Sequence, residues 1–264
     1  ASMPAVRAPR STASSRLSTK DKVTLFGRLV RGRADVFPVR WESKTSGKSG
    51  YASACASEWR AGVCEKPRIK CRDCSRRLLI PLSDPVVYDH LAGEHTIGVY
   101  PLLEDDASYF LGVDFVAADW RHDARTFIRS CTELGVPATL EISRLGKGAH
   151  AWIFFNDRVA ARDARRMGVA IISHTCARTR QLRLASYDRL FPNQDTMPKG
   201  GFGNLIAFPL QKGPCESGWS VFVDDELRVH ARINGHFLHP SSRWLDTTLS
   251  RPSCAPLTAG ACWM

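Results

Sequence analysis

Two aspartates, a histidine and a cationic loop carry the chemistry most easily read from this chain. Asp114 closes an apolar run, Tyr109-Phe110-Leu111-Gly112-Val113, and Asp188 lies within Ser186-Tyr187-Asp188-Arg189-Leu190-Phe191. Carboxylate oxygens at strand ends are hard donors suited to Mg²⁺ or Mn²⁺, and two of them can share divalent ions that bridge a nucleoside triphosphate. Between the two runs stands Ser143-Arg144-Leu145-Gly146-Lys147-Gly148-Ala149-His150. Its Ser143, Arg144, Lys147 and His150 offer donors to phosphate oxygens from a glycine-loosened backbone. Each signal has a plainer alternative, since a lone Asp after a strand equally caps a helix. Their order along the chain makes nucleotide transfer the expected chemistry.

A second cluster points to a different metal. The chain has nine cysteines, and Cys55, Cys64, Cys71 and Cys74 follow the spacing C-x8-C-x6-C-x2-C. The Cys71-Arg72-Asp73-Cys74 knuckle can present two thiolates to one tetrahedral ion, and the earlier pair can complete the four. A closed, structural Zn²⁺ site is therefore expected, with four ordinary buried thiols as the alternative. Lys66, Arg68, Lys70, Arg72, Arg76 and Arg77 surround it and could also touch a nucleic-acid backbone. An odd cysteine total without a secretory signal suggests a reducing compartment, cytoplasmic or wherever DNA is handled, and not secretion.

The elements that must position these groups follow from periodicity. Ser18-Thr19-Lys20-Asp21 reads as a capping box opening a helix with Val23, Phe26, Leu29 and Val30 on its apolar face. Trp41 to Gly50 reads as a loop. A strand, a turn at Ser83-Asp84-Pro85 and a short helix or loop carrying His90 and His95 are expected between Leu78 and Pro101, both histidines being read as structural. A strand from Tyr109 to Phe115 and a helix from Asp119 to Leu134, stopped by Gly135-Val136-Pro137, precede a strand from Ala138 to Ile142 in the same sheet. Ala151 to Phe155 is a third apolar run, and a helix is expected from near Asp157. Asn204 to Gln211 reads as a strand, Val221 to Val223 as another short strand or an ordered connection, and Asp224 to His230 as a helix. Residues 1–17 read as a disordered basic arm and 250–264 as a loose tail.

At 264 residues, 44% of them hydrophobic, the chain can bury a sizeable core. Its formal charge of +11 favours a polyanionic partner such as nucleic acid, or simply a basic soluble surface. No run of eighteen apolar residues occurs, so no membrane span is expected.

These residues together resemble a known family. Phe26-Gly27-Arg28, Gly32-Arg33-Ala34-Asp35-Val36, Gly47-Lys48-Ser49-Gly50-Tyr51 and the four cysteines with Glu58-Trp59 occur in its order. So do His90-Leu91-Ala92-Gly93, Gly98-Val99-Tyr100-Pro101-Leu102-Leu103, the stretch from Tyr109 to Phe155, Tyr187 to Asp195 and Gly203 to Gln211. From about Leu17 to Trp244 the chain resembles the primase-polymerase module of the archaeo-eukaryotic primase superfamily, most closely that of TOTE conflict systems. The resemblance implies an α+β fold, a mixed sheet with an RNA-recognition-motif-like half packed on a second α/β unit, with a small four-cysteine zinc module. Residues 18–104 would hold the N-terminal helix and zinc-binding part, and 105–249 the catalytic core. It implies a DNA primase or polymerase using nucleoside triphosphates and two divalent metals on single-stranded or primed DNA, or RNA, with a helicase or nuclease partner in mobile-element or defence settings.

By that resemblance Asp114 is the first acid of motif one, Ser143 to His150 is motif two, and Asp188 is motif three. Asp114, Asp188 and His150 would then be catalytic. The second acid of motif one should stand two residues after Asp114, where this chain has Val116. An isopropyl group cannot ligate a metal, and Asp119 lies beyond the strand end. The implied readings are an enzyme weakened at Val116, a degenerate relative that binds nucleotide or single-stranded nucleic acid, or a zinc-stapled binding module.

Overall fold

A computed structural model describes residues 18–180 and 184–229. The expected arm (1–17), the tail (250–264) and residues 230–249 of the expected core lie outside the described residues. The order is α1 (Thr19–Leu29), β1 (Pro38–Glu42), β2 (Ser49–Ser53), α2 (Asp84–Ala92), β3 (Gly98–Val99), β4 (Ala107–Val116) and α3 (Trp120–Glu133). Then come β5 (Thr139–Ile142), β6 (Gly148–Ala160), α4 (Ala161–Thr179), β7 (Tyr187–Phe191), β8 (Ile206–Ala207), α5 (Lys212–Glu216) and β9 (Val221–Val223). The capping box at Ser18 and Asp21 forms as read.

The main sheet has the order β7-β4-β6-β5-β9. Its first four strands with α3 and α4 make a β-α-β-β-α-β unit, the split arrangement of RNA-recognition-motif-like folds. Each of its pairings is antiparallel, so the expected mixed sheet is corrected to an antiparallel one. The cause is the β5–β6 hairpin, which inserts β6 between β4 and β5; those two strands point the same way without touching.

Strand alternation splits the sheet's side chains between two layers. Leu111, Val113, Phe115, Ala149, Ala151 and Ile153 pack beneath Ala124, Phe127 and Cys131 of α3 and Ile171 of α4. On the opposite face Phe110 and Trp152 pack with Phe26 of α1, Val87 and Leu91 of α2, and Ile206 and Phe208. The second layer thus draws on both the 18–104 and the 105–249 segments, joined by the antiparallel β3–β8 pair.

His90 lies at the heart of that layer, fully buried. Its Nε2 donates to the Pro209 carbonyl at 3.0 Å while its Nδ1 accepts from Ile97 N at 3.4 Å, an arrangement that needs the neutral ring. Burial pushes its pKa down to about 4. The unfolded chain therefore takes up this proton first, so the stability held above pH 6.5 drains away as pH falls towards 4, by about 3 kcal/mol in total. Urea midpoints followed from pH 7.5 to 4.5 should fall more steeply for the wild type than for His90→Gln.

Five local expectations change. The strand expected after Leu78 is reduced to a single bridge between Leu79 and Cys55. Trp41 and Gly50 are not loop residues but a cross-strand pair of the β1–β2 hairpin, leaving only Ser43–Lys48 as its tip. The helix expected from Asp157 starts at Ala161, because β6 continues pairing through Val159 and Ala160 with Ser108 and Ala107. Of Asn204 to Gln211 only Ile206–Ala207 is strand. Asp224 onward is a tight turn: the Asp224 carboxylate accepts from Glu226 N and Arg228 N, Leu227 has φ +62°, and Val229 bridges back to Val223. His230 lies outside the described residues. Among the described residues no helix is long and apolar enough to cross a membrane.

Candidate active site

Register, more than sequence proximity, builds this site. Asp114 on β4 stands opposite His150 on β6, His150 opposite Glu141 on β5, and Asp114 opposite Arg189 on β7. Directly opposed residues on one face lie within side-chain reach of each other. His150 Nε2 is 3.6 Å from Asp114 Oδ1, and its Nδ1 donates to Glu141 Oε2 at 2.9 Å. The same Glu141 oxygen accepts from Trp152 Nε1 at 3.0 Å. The result is a continuous row, carboxylate, imidazole, carboxylate and indole, laid across three strands.

Asp188 reaches the row through an irregularity. The β4–β7 register shifts between Asp114 and Phe115, whose partners are Arg189 and Tyr187, so Asp188 is the extra residue of a bulge beside Asp114. Bulges bend a strand and re-aim its side chains. The lead-in is pinned: Ser186 donates from its N and Oγ to the buried Asp123 carboxylate at 3.0 and 2.7 Å, and its carbonyl accepts from Val116 N at 2.7 Å. Asp188 also accepts from Arg189 Nε at 2.5 Å.

The electrostatics follow from burial and neighbours. Burial pushes the Asp114 carboxyl above its usual range; His150 opposes this, and the nearby Asp188 carboxylate adds to the rise. Two carboxylates side by side, one of them reluctant to ionise, form a place where a cation is stabilised. Burial disfavours the charged His150, but the Glu141 charge and hydrogen bond, with Asp114, outweigh it and raise its pKa.

The sequence-derived candidates divide accordingly. Asp114, His150 and Asp188 converge. Ser143 N donates to Gly148 O at 2.9 Å and Gly146 N to Ser143 O at 2.8 Å, closing the β5–β6 turn. Gly146 has φ +69°, and a Cβ there would fall 2.5 Å from Trp219 Nε1, so the turn needs glycine on both counts. Lys147 is exposed at its tip. Arg144 reaches the β1–β2 hairpin, its Nη2 3.5 Å from Glu42 Oε1. Val116 shares the face of Asp114 and is 41% exposed. Exposed Asp119 sits at the start of α3, without a side-chain capping bond.

Glu141, which sequence reasoning misses, is the most buried acid of the row, at 2% exposure. The available signal is parity: it alternates with Leu140 and Ile142 and so faces the side that carries His150 and Asp114. Glu141→Ala leaves a buried indole N–H and an imidazole without their acceptor, and should lower stability by about 2–4 kcal/mol in denaturant titration. Glu141→Gln retains an acceptor oxygen and should lose less.

Cys55, Cys64, Cys71 and Cys74 line one small cavity. Leu78 N donates to Cys55 Sγ at 3.3 Å, and the Lys66 ammonium lies beside Cys71. The donor chemistry suits zinc, but among the described residues no group of three or more His, Cys, Asp or Glu is placed to hold a metal ion.

A family model described as "TOTE conflict system, Archaeo-Eukaryotic Primase domain" matches residues 21–242. No curated protein matches the chain significantly.

Proposed function

The chain belongs to the archaeo-eukaryotic primase domain family of TOTE conflict systems, and from that premise we propose that it joins nucleoside triphosphates on a nucleic-acid template. The observation that carries this reading is the convergence of Asp114, the bulged Asp188 and His150 on one end of the sheet. Asp114 and Asp188 would hold divalent ions, which when bound supply charge neutralisation on the triphosphate and a lowered pKa for the attacking hydroxyl. Two carboxylates suit Mg²⁺ or Mn²⁺, since Mg²⁺ usually takes one or two and completes its shell with water and phosphate oxygens. His150, held in orientation by Glu141, donates to phosphate oxygens, while Ser143 and Lys147 border the same turn. In the transfer, the hydroxyl oxygen bonds to the α-phosphorus, pyrophosphate departs, and the hydroxyl proton passes to solvent.

Val116 favours a second reading, a relative that binds nucleotide or single-stranded nucleic acid without joining it, because the position two residues beyond Asp114 offers no ligand. Incorporation on a single-stranded template, with and without primer, in Mg²⁺ and in Mn²⁺, separates the two. Product that depends on Asp114 supports transfer; saturable triphosphate binding without product supports the second.

Within the same proposal, the C-x8-C-x6-C-x2-C spacing and the shared cavity of the four cysteines are what favour a structural zinc site. Metal analysis of the purified chain should find one zinc per molecule, lost in Cys74→Ser together with several degrees of thermal midpoint. Full retention of metal in that variant would refute the site.

A further inference from the structure

A cleft of about 1330 Å³ lies among the β1–β2 hairpin, the cysteine-rich segment and residues 193–205. It exceeds the roughly 300–1,000 Å³ of pockets that enclose small ligands. Two of its lining side chains are large aromatics left open to solvent, Trp41 at 45% and Trp59 at 68%. The Trp41 indole lies flat on its partner Gly50: a Cβ there would meet three ring atoms at 3.1–3.3 Å. One side of the ring is therefore fixed against backbone while the side chain stays open to solvent on the cleft. Trp59 has φ +59°, a left-handed conformation that is costly for a bulky residue and marks an outlier worth explaining. The Lys66 ammonium sits 5.8 Å from its ring.

The charge around these rings has one dominant sign. From Arg60 to Arg77 inclusive there are seven Lys and Arg residues against two acids. Lys70 and Lys199 line the cleft, are exposed, and have no ion-pair partner among the described residues. The cleft also touches neighbours of the strands that carry the carboxylate row. Glu42 on its rim lies 3.5 Å from Arg144, and Asn204 in its wall donates to Leu190 O of β7 at 3.1 Å. Arg77 holds the far end together, donating to Cys71 O and Gly200 O, both at 3.2 Å.

We propose that this cleft holds single-stranded nucleic acid, its bases stacked on Trp41 and Trp59 and its phosphates paired with Lys70 and Lys199. Open aromatic faces combined with unpaired cations are what a strand with unstacked bases requires, and a duplex hides its bases from such rings. The proposal deepens the templated reading above and rests on it for the strand's role, but its test uses neither triphosphate nor divalent metal.

The test is fluorescence anisotropy of end-labelled mixed-sequence oligonucleotides of roughly 15 nucleotides, as single-stranded DNA, single-stranded RNA and duplex DNA, with the full chain. Trp59→Ala is expected to weaken single-strand binding about tenfold, and Trp41→Ala with Trp59→Ala further still. Trp59→Phe should recover most of the loss. Lys70→Ala with Lys199→Ala should lower the slope of log affinity against log salt by about 1.4. Arg162→Ala, a loss of charge on exposed α4, should leave affinity within about twofold. Tighter binding of either DNA or RNA names the natural strand. No binding of any single strand, a duplex bound as tightly as single strands, or cleft variants indistinguishable from Arg162→Ala would overturn the proposal. Binding through the cleft by a protein that makes no product would overturn the transfer reading alone.

Discussion

Asp114→Asn is expected to reduce nucleotide incorporation by about a thousandfold or more, which corresponds to about 4 kcal/mol of transition-state stabilisation. Among the described residues Asp114 is the one acid that contacts His150 and also lies beside Asp188, so its charge is central to any cation site here. The change should not unfold the protein. Burial and the neighbouring carboxylate already disfavour the ionised form of Asp114, so a neutral isostere relieves that cost and the thermal midpoint should hold or rise. A dead enzyme with an unchanged melt is the expected pair of results. Retention of more than about a tenth of the activity, in either Mg²⁺ or Mn²⁺, would place the chemistry elsewhere.

Val116→Asp is expected to act in the opposite direction, raising turnover by up to about a thousandfold. Val116 faces the same side as Asp114 and is substantially exposed, so a carboxylate there needs little desolvation. Its backbone is already fixed by pairing with Gly148 and by the bond from its N to Ser186 O. The new charge would therefore arrive on a rigid element, close to the two existing acids. A strong gain means the remaining groups are still arranged for transfer. No gain, with triphosphate binding intact, means the site has moved on to binding alone. A gain confined to Mn²⁺ would point to an ion-selectivity effect at a competent site.

The pieces that lie close together in the chain can be read directly from it. The helix spanning Trp120–Glu133 has its apolar face repeated every three to four residues and ends at Gly135 and Pro137, and the Ser18 cap is written in four letters. Asp114 and His150 announce themselves by following or opening apolar runs. What periodicity does not carry is register. Glu141 looks like an ordinary strand residue until β5 and β6 are aligned, and the proximity of Asp188 to Asp114 depends on one shifted pairing. The Trp41–Gly50 pair is hidden because glycine and polar residues suggest a loop, whereas here glycine makes room for an indole. Asp157–Ala160 reads as the start of a helix because its strand character comes only from pairing with Ala107 and Ser108, far earlier in the chain.

The pairing of Val99 with Ile206, and the packing of Phe26 and His90 against Phe208, constrain the order of events during synthesis. The α1 and α2 helices leave the ribosome early, yet Phe208, which covers them, comes 182 positions after Phe26 and 118 after His90, roughly 6–36 s at ~5–20 residues per second. During that interval their apolar faces are exposed, while the β4–α3–β5–β6 segment, whose contacts are nearer in sequence, can begin to assemble. The nascent chain should thus pass through a stage in which the main sheet exists before the layer that covers it. That stage would be the one most in need of chaperone protection, and a chain released before residue 210 should be degraded rather than accumulate as a stable fragment.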